Sequence, residues 1–171
     1  MILVRLARSS DLAFYEDCLE DAVWRRRYLG PNDSRSSACV AAEMLRPNDI
    51  VAGRFVAVRG DEPMGFVHWM RRSPFELEGS CGVHPKYIGR GFAIRIAAAG
   101  IAIAYNRLNA KTLVARVASD HSASRRMIER LGFRQIALTD ENMTEYRLNC
   151  DESASPFLRQ VAARYPVAHA L

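Results

Sequence analysis

Lysine is almost absent from this chain of 171 residues, which has only Lys86 and Lys111. The formal net charge of +5 therefore comes from arginine, and the arginines are spread along the chain apart from the run Arg25–Arg27. A nucleic-acid-binding protein usually gathers its basic residues on one face. The spread of charge thus argues against nucleic acid as a partner, and an anionic cofactor explains a modest positive excess equally well.

Cysteine pairs and long apolar runs are also missing. Four cysteines lie far apart, without a C-x-x-C pair, at Cys18, Cys39, Cys81 and Cys150. This spacing favours reduced, packed thiols over disulfides or a metal site. The most apolar run, 96–105, is too short to span a bilayer, and residues 1–5 lack the basic and apolar regions of a secretory signal. We therefore expect a cytoplasmic protein that does not enter a membrane.

Apolar periodicity and turn residues predict one compact domain over residues 1–150. The predicted strands are 2–6, 50–58, 64–70, 75–83, 112–118, 133–138 and 143–148. The predicted helices are 12–28 (continuous or restarted at Trp24), 38–45, 92–108 and 121–131. Short turns between the second, third and fourth strands indicate an antiparallel meander. Residues 151–171 predict an amphipathic helical extension packed on the same domain, with a homodimer contact as the alternative.

The stretch 83–93 joins the last strand of this meander to the most apolar helix. Pro85 ends the strand because proline has no backbone donor, and Gly89 and Gly91 allow positive φ. A strand, a glycine turn and a helix start in this order expose N–H groups at the positive end of a helix dipole, which suits phosphate. An ordinary structural turn is the alternative. Ile94 replaces the third glycine of a dinucleotide fingerprint, and no Gly-Lys-Ser/Thr of a triphosphate loop follows.

The run V-H-P-x-Y-x-G-R-G-F-A, its helix, the strand 112–118 and the later Ser124…Arg130-Leu131-Gly132-Phe133 resemble the GNAT superfamily of acyl-CoA-dependent N-acyltransferases. The resemblance is good over about residues 50–149 and only general over 2–49. It implies an α/β (α+β) fold with a mixed, mostly antiparallel sheet of six or seven strands flanked by helices. It also implies acetyl-CoA or another acyl-CoA as acyl donor and a primary amine of a small molecule or a protein as acceptor.

In that family the glycine turn holds the pyrophosphate of coenzyme A. The resemblance thereby assigns cofactor binding to Ile88, Gly89, Arg90, Gly91, Phe92 and Ala93. The strand edge formed by Cys81, Gly82 and Val83 is expected to pair with the pantetheine arm as an added strand. The N–H of Val83 or a neighbour would donate to the developing oxyanion. Ser124 either bonds a pantetheine or phosphate oxygen or caps its own helix turn.

Glu78 is the candidate general base, because a protonated amine must lose a proton before it can attack a thioester. An acidic residue at this place on the strand often has that role in the family. Strand alternation puts Glu76 and Glu78 on one face, about 7 Å apart. Repulsion at that distance predicts a raised pKa for one carboxyl, which suits a base. The alternative is that both glutamates simply face solvent.

The chain departs from the family at three positions. Ile88 stands where many members carry arginine or glutamine, so a side-chain contact to phosphate is lost while the backbone amide is retained. Ile128 stands where members with a tyrosine general acid place it, and His121 stands where asparagine is frequent. Protonation of the leaving thiolate then falls to Tyr105, His121 or Tyr146, or the chain is a coenzyme A-binding module without catalysis.

Two further groups are ambiguous. The arginines 25–27 with Trp24 and Tyr28 either border the acceptor cleft, where they would favour an acidic or carboxylate-bearing acceptor, or form a solvated helix face. His68 is interpreted as a packed histidine, because no second metal ligand stands at a suitable spacing from it.

Overall fold

A computed structural model describes residues 2–30, 32–138 and 142–149 of the chain. The strands are β1 (Leu3–Leu6), β2 (Val51–Arg59), β3 (Glu62–Arg71), β4 (Glu76–Val83), β5 (Thr112–Ala118), β6 (Arg134–Leu138) and β7 (Met143–Asn149). The helices are α1 (Leu12–Glu20), α2 (Ala22–Leu29), α3 (Ser37–Leu45), α4 (Phe92–Leu108) and α5 (Ser122–Arg130).

The seven strands form one sheet in the order β1-β2-β3-β4-β5-β7-β6. Every neighbouring pair is antiparallel except β4 and β5, which run parallel because α4 lies between them in the chain. The predicted fold class, a mixed and mostly antiparallel sheet with flanking helices, is therefore confirmed. The meander of β2, β3 and β4 is also present.

The sheet has two covered faces, each with its own hydrophobic cluster. Helices α1, α2 and α3 pack on what we call the α1 face, together with strand residues such as Val56 and Phe66. Helices α4 and α5 pack on the opposite α4 face, against residues such as Val67 and Leu77. Because side chains alternate along a strand, each residue of β4 belongs to one face or the other.

Helix α4 lies close against the sheet. An added Cβ at Gly100, in the middle of the helix, would come within 2.6 Å of the Val67 side chain on β3. The indole Nε1 of Trp69 donates a 3.1 Å hydrogen bond to the carbonyl of Gly100. An added Cβ at Gly79 would in turn meet the Trp69 ring at 2.4 Å. These contacts fix the helix, and with it the turn that precedes it, relative to β3 and β4.

The elements agree closely with the predicted ones, with one refinement and one segment outside the described residues. The first predicted helix is interrupted at Asp21, whose carboxylate accepts a hydrogen bond from the Trp24 N–H and caps α2. The predicted C-terminal extension, 151–171, lies outside the described residues, as does Cys150. Within the described part of the chain, no helix is both long enough and apolar enough to cross a membrane.

Candidate active site

Strands β4 and β5 pair over only half of their length. Their register runs from Glu76 opposite Thr112 to Gly79 opposite Ala115 and then stops, although β4 continues to Val83. The two strands therefore diverge beyond Gly79. We call the opening between them the β4–β5 gap.

The edge of β4 that faces this gap has backbone groups available for pairing. The N–H of His84 donates to the carbonyl of Met64 on β3, and antiparallel pairing alternates between hydrogen-bonded and non-hydrogen-bonded positions. The N–H groups of Cys81 and Val83 are accordingly turned away from β3 and toward the gap. The Val83 carbonyl accepts a 2.8 Å hydrogen bond from Trp24 Nε1, which ties α2 to this edge. The open strand edge expected from the sequence is present.

The glycine turn lies at the end of β4 and opens α4. Gly89 and Gly91 have φ of +78° and +72°, and an added Cβ at either would touch nothing within 4 Å. Glycine is thus needed there for its backbone conformation, not for space. Gly91 is the N-cap of α4, and its left-handed geometry turns the preceding amides outward at the positive end of the helix.

The free donors of this turn begin one residue later than the sequence suggests. The N–H of Ile88 already donates to the Pro85 carbonyl at 3.2 Å, so the amide of Ile88 is not available to a phosphate. Among the described residues, nothing accepts a hydrogen bond from the N–H groups of Gly89, Arg90 and Gly91. The first N–H groups of α4 have no partner within the helix either.

The buried side chain of Tyr87 packs beside the glycine turn. Tyr87 packs edge-on against Phe92 at 5.8 Å between ring centroids. Three cations surround its ring, with Arg59, Lys86 and Arg90 at 5.7, 5.4 and 6.0 Å from the centroid. Glu62 pairs with Lys86 at 2.7 Å and with Arg59 at 4.0 Å, so the surroundings of the turn keep a net positive charge, which suits a phosphate group.

The wall of the β4–β5 gap on the α4 face is apolar. A small pocket there is lined by Cys81, Ala115 and Ile128, together with residues of β3 and α4. Ile128 is buried at the position where the family resemblance expects a tyrosine, so no hydroxyl enters the pocket from this point of α5. Burial raises the pKa of the Cys81 thiol to about 11, so the thiol stays protonated at neutral pH and is a poor nucleophile.

Glu78 lies on the α1 face, beside the start of the gap, and it is not an isolated carboxylate. Its two oxygens accept hydrogen bonds from Arg72 Nε at 2.8 Å and Arg116 Nε at 3.1 Å. Glu76 and Glu145 continue the same network. Glu76 contacts Arg72 at 3.9 Å and Arg147 at 3.6 Å, and Glu145 contacts Arg72 at 3.3 Å. The predicted pair of like charges is thus interleaved with arginines, which offset its repulsion.

His121 is the N-cap residue of α5, but its side chain makes no capping hydrogen bond. Burial is the main cause that lowers its pKa, and the nearby positive charge of Arg27 on α2 lowers it further, against a smaller opposing effect of Asp120. The imidazole is therefore neutral at pH 7. This protonation state suits a proton acceptor better than the proton donor that the sequence suggests.

The remaining candidates are not brought to the gap together. Tyr105 is half exposed and lies thirteen residues beyond the start of α4, about 20 Å along the helix at 1.5 Å per residue. Tyr146 is fully buried under α5, where its hydroxyl contacts Arg125 and Glu129. Ser124 lies in the first turn of α5. His121 lies close enough to Arg27 on α2 for that charge to lower the pKa of its imidazole.

Three residues that the sequence left ambiguous, Trp24, Tyr28 and His68, also lie in this region. Tyr28 stacks on Trp24 with 5.0 Å between ring centroids, and its hydroxyl lies near Ser80 on β4. On the next strand His68 shares a 2.9 Å hydrogen bond with Tyr15, and burial lowers the pKa of His68 to about 3. His68 is therefore a packed, neutral histidine. Its alternation with Phe66 on one face of β3 is the sequence feature that could have placed it under α1.

The sequence profile of the acetyltransferase (GNAT) domain matches residues 1–134 of this chain. The chain belongs to the GNAT acetyltransferase family. This places it among the acyl-CoA-dependent N-acyltransferases, as the motifs of the glycine turn predict. No curated protein sequence matches the chain.

Solved structures of GNAT proteins share the fold at low sequence identity. The putative acetyltransferase yncA from Salmonella typhimurium with acetyl-CoA has a TM-score of 0.71 and 20% identity, over 91% of this chain and 97% of its own. The spermidine N-acetyltransferase from Vibrio cholerae with CoA and spermine has a TM-score of 0.75 and 14% identity, over 86% and 95%. The aminoglycoside acetyltransferase AAC(6')-Ib with coenzyme A and kanamycin has 0.72 and 15%, over 96% and 98%.

The residues of this GNAT protein fit a coenzyme A thioester. The free amides of 89–91 match a pyrophosphate, and the open β4 edge at Cys81 and Val83 matches the amides of a pantetheine arm. The apolar pocket beside Ile128 is suited to a small acyl group. Among the described residues, no group of three or more His, Cys, Asp or Glu side chains could hold a metal ion.

Proposed function

We propose that this GNAT protein transfers an acetyl group from acetyl-CoA to a primary amine of a small molecule or a protein. The proposal rests on one observation, that helix α4 joins the glycine turn to the β4–β5 gap. The unpaired amides of 89–91 open α4, and the same helix forms part of the wall of the β4–β5 gap. A diphosphate held at the glycine turn would extend its thioester arm into the gap.

In this proposal the β4 edge orients the acyl donor. The N–H groups of Cys81 and Val83, which face the gap, are the candidate donors to the carbonyl oxygen that gains negative charge during the transfer. Glu78, on the α1 face beside the gap, accepts the proton of the incoming amine directly or through a water molecule. The neutral imidazole of His121 is a second proton acceptor at the same cleft.

One observation favours a second candidate function, a coenzyme A-binding module without catalysis. Ile128 is buried in the pocket wall where a proton donor to the leaving thiolate is expected, and none of the predicted substitutes faces the pocket. A missing general acid costs about 10²–10⁴ in rate, which slows a transferase without abolishing it. The transferase thus remains our proposal, and the experiment must separate the two.

The first experiment measures cofactor binding by thermal unfolding. Acetyl-CoA at a hundredfold excess over its Kd should stabilise the protein by about 2.7 kcal/mol, which corresponds to about 5–10 °C in Tm for a chain of this size. Gly91→Ala should lose most of this shift, because alanine in a left-handed conformation costs about 1–2 kcal/mol and displaces the free amides. Gly30→Ala is the control at another glycine of positive φ, +88°, where likewise no atom lies within 4 Å of an added Cβ.

The second experiment measures release of free thiol from acetyl-CoA with a panel of primary amines. Amine-dependent release supports the transferase. Stabilisation by acetyl-CoA without thiol release from any amine would favour the silent module. If acetyl-CoA stabilises neither the native protein nor the Gly30→Ala control, both candidate functions are wrong.

A further inference from the structure

Three side chains form a row across the α1 face beside the β4–β5 gap. Arg54 on β2 is paired with His68 on β3, and His68 is paired with Ser80 on β4. Ser80 is the first residue of β4 beyond the last pair with β5. The Cα atoms of Arg54 and Ser80 are thus two strand spacings apart, about 10 Å. The row leads from the gap to Arg54.

Arg54 lies under the helices of the α1 face. Its strand neighbour on the same face, Val56, belongs to the cluster formed with α1. Its positive charge is close enough to lower the pKa values of Tyr15 on α1, Tyr28 on α2 and His68. The guanidinium therefore lies near both helices, and Arg54 is only partly exposed.

Four carboxylates of this face already have basic partners. Glu76, Glu78 and Glu145 form the network with three arginines described above. Further toward β1, both oxygens of Asp11 accept hydrogen bonds from Arg5, at 2.7 and 2.8 Å. Each of these acids is therefore compensated without Arg54.

Arg54 has no carboxylate or carbonyl partner for its guanidinium among the described residues. Burial lowers the pKa of Arg54, which reports that its charge is partly removed from water without an opposing charge. A partly desolvated arginine without a counter-ion is costly to keep, unless a ligand supplies the anion. Arg27, an exposed residue of α2 whose charge acts on His121, adds a second positive charge.

We propose that the amine acceptor of this enzyme carries a carboxylate, and that Arg54 binds this group while the amine reaches the β4–β5 gap. The inference rests on the proposed acetyltransferase function and names its acceptor class. Arginine matches a carboxylate with two parallel hydrogen bonds, which gives both orientation and charge recognition. An acceptor of this class has its amine and its anion a few bonds apart, as in an amino acid.

Charge complementarity separates this acceptor class from the acceptors bound in the compared structures. Spermine and kanamycin carry several positive charges, and in this proposal one of their ammonium groups would be placed beside Arg54. Like charges at such distances disfavour binding. The α1 face thus selects against polyamines as well as for anions.

The test compares amino acids with their own primary amides as acceptors. The amide keeps the size and the primary amine of each molecule but removes the carboxylate charge. It also lowers the pKa of an α-amine, which makes the amide the more reactive amine and so works against the expected result. The panel contains γ-aminobutyrate, the α-amino acids, their amides, 3-aminopropylphosphonate and spermidine. We expect kcat/KM for at least one acid to exceed that of its amide by about tenfold or more, since hydrogen bonds to charged groups are among the stronger ones.

Arg54→Gln should reduce the ratio of acid to amide toward one, mainly through KM, and Arg54→Lys should retain part of the preference. Arg134→Gln is the charge-matched control on the exposed edge strand β6, and it should leave the ratio unchanged. Thermal unfolding of each variant with acetyl-CoA checks that the fold and the cofactor site are intact. The Lys variant keeps the test valid if the Gln variant does not fold.

The outcomes for the two proposals are distinguishable. Thiol release that is equal for acids and amides, or a ratio that Arg54→Gln leaves unchanged, overturns the role of Arg54 but not the transferase. A tenfold preference for 3-aminopropylphosphonate or for spermidine over the amino acids overturns the inference that the acceptor carries a carboxylate. If no amine releases thiol, the transferase fails, and titration of the same acids into the coenzyme A complex still tests Arg54. Equal binding to the native protein and to Arg54→Gln then overturns the inference.

Discussion

The two faces of the sheet are specified by the sequence in different ways. On the α4 face, the glycine turn and helix α4 are contiguous in the chain, and their function as a phosphate site follows from backbone conformation. On the α1 face, the candidate acceptor site is assembled from β2, β3, β4, β5, β7 and two helices. Its properties follow from which charged side chains meet.

This difference explains why the family resemblance is specific for the donor but not for the acceptor. A diphosphate needs free amides in a fixed turn, and many side chains around the turn are compatible with that requirement. An acceptor is recognised by side-chain charge and shape, which change with single substitutions such as an arginine at position 54. We therefore expect substitutions on the α4 face to affect acetyl-CoA binding and substitutions on the α1 face to affect the amine.

Among the substitutions that test this difference between the two faces, Glu78→Gln is expected to have the largest effect. Loss of the general base should lower kcat by about 10²–10³ at neutral pH. Binding of acetyl-CoA should remain unchanged, because the carboxylate lies on the α1 face. Steady-state kinetics of thiol release, together with the Tm shift caused by acetyl-CoA, measures both quantities.

Glu76→Gln is the matched control for Glu78, on the same strand and the same face. Glu76 also contacts two arginines, Arg72 and Arg147, but it lies farther from the gap. It should change kcat by about twofold at most, as expected for a partly exposed ion pair. An equal loss in both variants would mean that the ion-pair network as a whole supports activity, and that Glu78 has no special role as base.

Local patterns were sufficient to predict most of the fold. The bounds of α4 and β5 were predicted to the residue. Gly91 and Asn109 flank the apolar run of α4, and the next apolar run along the chain is β5. The order of the strands beyond the meander was not predicted from the sequence. Nothing local in the sequence indicates that β7 inserts between β5 and β6.

The candidate site was predictable only where backbone conformation determines it. Gly89 and Gly91 were recognised because positive φ has a residue signature. The ion pairs of Glu78 were not predictable, because Arg72 and Arg116 are brought to it by strand pairing and not by sequence spacing. The satisfied amide of Ile88 depends on a 3₁₀ turn, Pro85–Tyr87, that a proline alone does not specify.

A second effect, of intermediate size, concerns His68, the middle residue of the row formed by Arg54, His68 and Ser80 on the α1 face. Burial lowers the pKa of His68 from its ordinary 6.5 to about 3. Below pH 6.5 the unfolded chain binds a proton that the folded protein does not bind until about pH 3. The contribution of His68 to the free energy of unfolding therefore has its full value above pH 6.5 and decreases as the pH falls below 6.5. At pH 5 the loss should be about 2 kcal/mol.

Urea unfolding at pH 7.5 and pH 5 measures this dependence. His68→Gln keeps a polar group near Tyr15 but cannot take up a proton, so its unfolding free energy should change less between the two pH values than that of the native protein. The carboxylates contribute equally to both proteins, and Arg54, the nearby charged group, stays protonated throughout. Identical pH dependence in the two proteins would show that His68 is protonated without cost in the folded state.

The smallest effect tests whether amides or side chains bind the cofactor at the glycine turn. Ile88 is 57% exposed beside the turn, so Ile88→Arg should raise the affinity for acetyl-CoA by about twofold to fivefold, within the range of an exposed ion pair. The gain should disappear at high salt because the added charge is screened. Ile136→Arg, at 56% exposure on β6, is the control and should have no effect. A large gain from Ile88→Arg would contradict the comparison, because side-chain charge would then determine donor binding on the α4 face as it determines acceptor binding on the α1 face.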